Sequence, residues 1–152
     1  MGRPVTENGT AEPAGAGGAM DLDQARAIVR EQHHAVLATR RSDGSPQLSP
    51  VLATVDAGGR ITVSTTANTA KVANIARDPH VSLCVLPDEF FGRWVQLDGT
   101  AEAVRLPEAM PLLEEYYRTV SGEHEDWERY RAAMRAERRA LLRIEPTRAG
   151  PS

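Results

Sequence analysis

Short apolar runs separated by tight-turn signals occupy the first half of the chain and leave few ways to fold it. Ser42-Asp43-Gly44-Ser45 and Asp56-Ala57-Gly58-Gly59 each combine an aspartate that can bond its own backbone with a glycine tolerant of positive φ. Between and beside them lie Ala35–Arg40, Pro46–Val55 and Arg60–Thr65, the last with Ile61 and Val63 on one face. Strands joined by such short turns pair antiparallel.

The remaining periodicity completes the plan. Leu22, Ala25, Ile28 and Val29 recur at helical spacing behind Asp21 or Asp23, either of which can cap the first turn. Thr66–Asp78 is a second helix, with Val72, Ile75 and Ala76 on one stripe, Asn68 or Thr69 at its start and Asp78-Pro79 at its stop. His80–Leu86 and Arg93–Val104 read as strands, the latter with a potential break at Gly99. Pro107 to Val120 and Asp126–Arg138 read as helices around Ser121-Gly122-Glu123-His124, and Ala140–Ile144 as a last strand. The expected fold is mainly β with helices: a six-stranded antiparallel barrel with helices at its ends.

Composition sets the limits of that plan. A chain of 152 residues is one domain, here residues 21–145, flanked by tails at 1–20 and 146–152. The first twenty residues contain five Gly and two Pro and almost no large apolar side chains, so they are expected to be flexible, as is the closing PTRAGPS. With 18 Lys+Arg against 21 Asp+Glu there is no basic excess to neutralise phosphates, which argues against a nucleic-acid binder. No apolar run reaches the roughly 18 residues of a membrane span, and no signal peptide is evident, so a soluble, cytoplasmic protein is expected. The single Cys84 excludes an intrachain disulfide, and its apolar strand neighbours make it a small buried hydrophobe.

Two stretches could carry function. Ser64-Thr65-Thr66-Ala67-Asn68-Thr69-Ala70-Lys71 puts hydroxyls, a strand-to-helix turn and a lysine one turn into a helix. Free amides, the helix dipole and Lys71 suit an anion there. A capped helix with a solvated lysine is the alternative, since the spacing is not that of a P-loop. In Gln47-Leu48-Ser49-Pro50-Val51, mid-strand Pro50 implies an edge or a bulge that re-aims the backbone, or simply a protected edge. His33-His34 and His124 lack spaced partners for a metal. Trp127–Arg143 carries six Arg against two Glu, but the acidic Glu114–Asp126 beside it makes a paired, solvated surface the expectation. No catalytic triad, carboxylate pair or metal cluster stands out, so an enzymatic role would need a cofactor to supply the chemistry.

Val36-Leu37-Ala38-Thr39 followed by Asp43-Gly44-Ser45-Pro46-Gln47-Leu48-Ser49-Pro50-Val51 resembles the opening hairpin of the flavin/deazaflavin oxidoreductase superfamily, the pyridoxamine 5′-phosphate oxidase-like, FMN-binding-like split β-barrels. Val63-Ser64-Thr65, Ala70-Lys71, Asn74-Ile75 and Arg77-Asp78-Pro79 are similar to its strand–turn–helix, and Val95–Val104 with Asp98-Gly99-Thr100-Ala101 to its fifth strand. Tyr117-Arg118, Gly122-Glu123-His124, Asp126-Trp127, Tyr130-Arg131 and Arg138–Leu142 resemble the coenzyme F420-dependent branch. The resemblance implies a homodimer with cofactor sites at the subunit interface. It implies that Ser64, Thr65 and Lys71 hold the phosphate, and that Gln47, Ser49, Pro50 and Val51 lie along the ring. It also puts Asn74 near the ring and brings Trp94 from the partner chain. The implied activity is hydride transfer from reduced coenzyme F420 to a small organic acceptor, with FMN chemistry or a non-catalytic carrier as alternatives. The chain departs from the family where Thr69 and Ala73 stand in place of frequent arginines, which leaves Lys71 more exposed in its role.

Overall fold

The computed structural model describes residues 20–151, and the N-terminal tail expected over 1–20 lies outside these but for Met20. Along the chain run α1 (Leu22–Glu31), β1 (His34–Arg40), β2 (Pro46–Val55), β3 (Ile61–Thr66), α2 (Ala70–Arg77), β4 (His80–Val85), β5 (Val95–Arg105), α3 (Ala109–Ser121), α4 (Trp127–Ala136) and β6 (Arg139–Gly150). The strands close a six-stranded barrel in the order β1-β2-β3-β6-β5-β4, with every pair antiparallel. No helix among the described residues is long and apolar enough to cross a membrane.

Local chemistry starts and stops these elements as expected. Asp43 accepts bonds from the amide and hydroxyl of Ser45 while Gly44 takes φ 87°, and Asp56 accepts from the amides of Gly58 and Arg60 while Gly59 takes φ 84°. Asp21 caps α1 by accepting from the Asp23 amide.

Alternation along the strands builds two cores. Leu37, Val63, Leu83, Leu97, Leu142 and Ile144 fill the barrel, closed by Ile28 and Val29 of α1 and Val72 and Ile75 of α2. Each such aliphatic side chain contributes about 1.5–3 kcal/mol when removed from water. Leu141, one residue from Leu142, faces the other way. It packs with Ala109, Leu113 and Tyr130 in a second core between the barrel and the α3–α4 pair. The buried Tyr130 hydroxyl donates to the Leu113 carbonyl at 2.9 Å, and burial pushes its pKa up to about 12.

The C-terminal stretch differs from the expectation. Residues 146–150 are not a tail: β6 continues to Gly150, pairing Leu97 with Ala149 and Asp98 with Arg148. The register shifts between Asp98 and Gly99, so Thr147 is accommodated as a bulge and Pro146 sits opposite Gly99, where its missing amide is tolerated. The Arg148 guanidinium holds the Asp98 carboxylate at 2.6 Å, Ala149 is buried, and the Met20 amide donates to the Ala149 carbonyl. Turn-like composition concealed this strand because its anchors are one ion pair and two small or cyclic buried residues rather than an apolar run.

Gly99 makes the bulge possible. A Cβ there would overlap the Glu145 carbonyl oxygen and stand 3.0 Å from the Ile144 side chain. Gly99→Ala is therefore expected to cost about 1–3 kcal/mol of stability, the usual range for overpacking. A denaturant titration would read this as a lower midpoint at unchanged m-value.

Candidate functional site

One seam of the barrel is only partly sewn. β2 pairs with β3 over Ala53–Val55 and Ile61–Val63. Beyond that point Pro46–Leu52 pairs with β1 alone, and Ser64–Thr66 pairs with β6 alone. The strands part and leave an opening in the wall. Ala53 exchanges bonds with His33 on the β1 side: its amide donates to the His33 carbonyl and its carbonyl accepts from His33 Nδ1, both at 2.8 Å. Alternate residues, Leu52 and Pro50, thus turn their backbone polar groups to the opening. Pro50 has no amide to leave unpaired there. The β1–β2 register runs unbroken through it, so Pro50 marks an edge and not a bulge.

Tyr116 of α3 stands at the fork. Its hydroxyl donates to the Leu52 carbonyl at 2.8 Å, and the Ser64 amide lies on the side of the phenol oxygen. The Leu52 carbonyl, which a longer ladder would have paired with β3, is satisfied by this phenol. Burial pushes the Tyr116 pKa up, against the opposing pull of the Ser64 amide and the Arg139 charge.

The opening widens into a groove of about 700 Å³. Pro50 and Val51 form one wall; Ser64, Thr65 and Lys71 form the other, so five of the expected site residues converge. Tyr116, Tyr117 and Val120 of α3 line a further side. The remaining four expected residues do not line it. Gln47 and Ser49 bond each other, and the Thr39 hydroxyl donates to Gln47. Asn74 is buried and ties α2 to β1: its amide donates to the Thr39 hydroxyl at 3.1 Å and its oxygen accepts from Arg77. Trp94 is half-buried in the segment just before β5.

The groove lining holds Lys71 and Arg139 and no carboxylate. Burial lowers the Lys71 pKa, and the neighbouring Arg139 charge lowers it further. Thr69 starts α2 without capping it, its hydroxyl donating backwards to the Thr66 carbonyl at 3.0 Å, and no acid occupies the first turn. The first amides of α2 therefore keep their unscreened positive end beside Lys71. Such a constellation suits an anion. Among the described residues no group of three or more His, Cys, Asp or Glu could hold a metal ion. A second hollow of about 530 Å³ on β1, β4, β5 and β6 has its charges already paired, Arg148 and Ser82 with Asp98 and Arg40 and His80 with Asp78.

Tyr116 and Arg139 were not singled out from the sequence. Arg139 lies in the basic Trp127–Arg143 stretch, two of whose other arginines pair with acids, Arg131 with Glu114 at 2.7 Å and Arg143 with Glu102 at 2.9 Å. Only the β3–β6 register, Thr66 opposite Arg139, turns this one arginine to the groove. For Tyr116 the consequence is testable. Tyr116→Phe leaves the Leu52 carbonyl without its donor, and a loss of about 1–3 kcal/mol is expected. Chemical denaturation would measure it.

Comparison with known proteins is consistent with this architecture. Residues 22–151 match the family model described as pyridoxamine 5′-phosphate oxidase. A conserved hypothetical protein from Mycobacterium tuberculosis is 27% identical, with a TM-score of 0.71 over 92% of this chain and 88% of that one. An F420 reductase is 21% identical, with a TM-score of 0.66 over 93% of this chain and 100% of that one. HutZ, the heme storage protein from Vibrio cholerae, is 20% identical, with a TM-score of 0.62 over 84% and 92%. The latter two share the fold. With the family model spanning both the barrel and its parted seam, the chain belongs to the pyridoxamine 5′-phosphate oxidase family.

Proposed function

We propose that the protein is a coenzyme F420-dependent oxidoreductase of the cytoplasm that binds the cofactor in the β2–β3 groove and reduces a small organic acceptor. The observation that carries this reading is the acid-free groove, with two cations and an uncapped helix start at one place and apolar Pro50, Val51 and Val120 elsewhere along it. A phosphate-bearing, flat, largely apolar cofactor fits that division of polarity.

Lys71, the first amides of α2 and the hydroxyls of Ser64 and Thr65 would hold the phosphate. Pro50 and Val51 would lie along the ring and exclude water from it, and Tyr117 and Val120 would flank it. The chemistry such a deazaflavin would supply when held there is hydride transfer. The Tyr116 proton is committed to the Leu52 carbonyl, so this phenol acts as a strut. FMN is the second reading, because the same cation pair suits any phosphate ester.

Lys71→Ala is expected to weaken cofactor binding by about 1–3 kcal/mol, the range for a lost charge-assisted hydrogen bond, and wild-type affinity should fall with salt. Calorimetric titration of coenzyme F420 and FMN in parallel identifies the cofactor, and turnover against an acceptor panel separates an enzyme from a carrier. An unchanged dissociation constant for Lys71→Ala would move the phosphate elsewhere.

Assembly belongs to the same reading: a two-fold homodimer whose partner covers the groove and brings Trp94 to it. Leu48 and Leu52 on the open half of β2 are 61% and 42% exposed, and Phe90 and Phe91 before Trp94 are 66% and 83% exposed. Apolar surface of this kind supports a partner contact. A dimer at micromolar concentration is expected, and Trp94→Ala should lose more cofactor affinity than stability. Analytical ultracentrifugation with cofactor titration checks both; a monomer that binds cofactor tightly overturns the interface model.

A further inference from the structure

We propose that Arg139 is the second cation of the anion site, receiving the cofactor's phosphate between its guanidinium and the Lys71 ammonium. The inference rests on the reading of the groove as a phosphate-cofactor site and adds to it a residue from a different element.

Four observations carry it. First, Arg139 opens β6 opposite Thr66, and its guanidinium lines the same groove as Ser64, Thr65 and Lys71. Second, its donors are under-used. It reaches the Ser64 hydroxyl at 2.9 Å and the Thr66 hydroxyl at 3.4 Å, but its buried Nε has no hydrogen-bond partner. The nearest carboxylate, Glu137, is 3.8 Å from Nε, beyond a hydrogen bond, and more than half exposed. Third, Arg139 and Lys71 are like charges in one partly desolvated space whose lining holds no acid, an arrangement that an anion relieves for both.

Fourth, the backbone fixes where Arg139 points. Arg138 takes φ 54°, a left-handed conformation disfavoured for a residue with a Cβ, at the turn from α4 into β6. Its carbonyl accepts from the Ala67 amide at 2.8 Å, which ties the start of β6 to the loop that leads into α2. Arg139 and the α2 amides are thereby held by one piece of backbone. A planar guanidinium with five donors then complements the lysine point charge.

The experiment compares ligand pairs that differ by the phosphate: FMN against riboflavin, and coenzyme F420 against its phosphate-free deazaflavin chromophore. Calorimetry would be run on the full chain as wild type, Lys71→Ala, Arg139→Gln and Arg139→Lys, with melting temperatures recorded. Arg139→Gln is expected to lower affinity for the phosphate-bearing member roughly ten- to a hundredfold, the span of one charge-assisted bond, while the phosphate-free member is unchanged. Arg139→Lys should restore part of the loss, and it supplies the comparison if Arg139→Gln does not fold. Equal losses for both members would make Arg139 a staple of β3 and overturn the proposal. So would a selective loss confined to Lys71→Ala, which leaves the phosphate reading standing. If no variant separates the members of either pair, the phosphate reading itself fails.

Discussion

The hydrogen bond from Tyr116 to the Leu52 carbonyl governs the shape of the molecule's working side. Two antiparallel strands that stop pairing leave a donor and an acceptor facing each other across a gap, and neither can be buried without a partner. Here the phenol takes the acceptor, so β2 and β3 diverge after Ala53 and Val63 with the Leu52 carbonyl paired. The same bond docks α3 on the barrel, and with it the Tyr117–Val120 face of the groove. Pro50 complements it from the β2 side, since a residue without an amide leaves no donor unpaired in the opening.

Around that fork the protein concentrates positive charge in a place where it is poorly solvated. Several cations elsewhere sit directly on acids: Arg148 on Asp98, Arg131 on Glu114, Arg143 on Glu102. Lys71 and Arg139 stand in a lining that offers hydroxyls and amides but no carboxylate, and the acid beside Arg139, Glu137, is 3.8 Å away. Burial penalises an unpaired charge, so a pair of them beside an uncapped helix start is costly in the free protein and suited to a bound anion. The opposite choice appears in the second hollow, where Asp98 and Asp78 answer the nearby cations.

Much of the fold was legible because its signals are local. Asp43-Gly44 and Asp56 to Gly59 specify their turns through their own side chains and φ angles, and β2 spans the residues its pattern predicts, Pro46–Val55. The β6 extension was not legible. Its strand character depends on Asp98, Gly99 and Leu97, residues some fifty positions away, and nothing in Pro146 to Gly150 itself reports them. The site divides along the same line. Ser64, Thr65 and Lys71 announce themselves by adjacency around one strand–helix turn, and Pro50 and Val51 by the oddity of a mid-strand proline. Asn74 shares that turn's helix yet points to Thr39, because the helix face it occupies is turned inward to β1.

The sequence by itself determined the strands apart from the end of β6, the hairpins, the family resemblance and the lysine at the helix start, all of which follow from residue periodicity or from neighbours within a turn. Tertiary structure alone decided where the barrel wall opens, which phenol satisfies the opening, and that Arg139 out of six arginines in its stretch turns to Lys71. These depend on the pairing of β3 with β6 and the docking of α3, contacts whose register is set by shape and burial across the whole barrel and is written in no single segment.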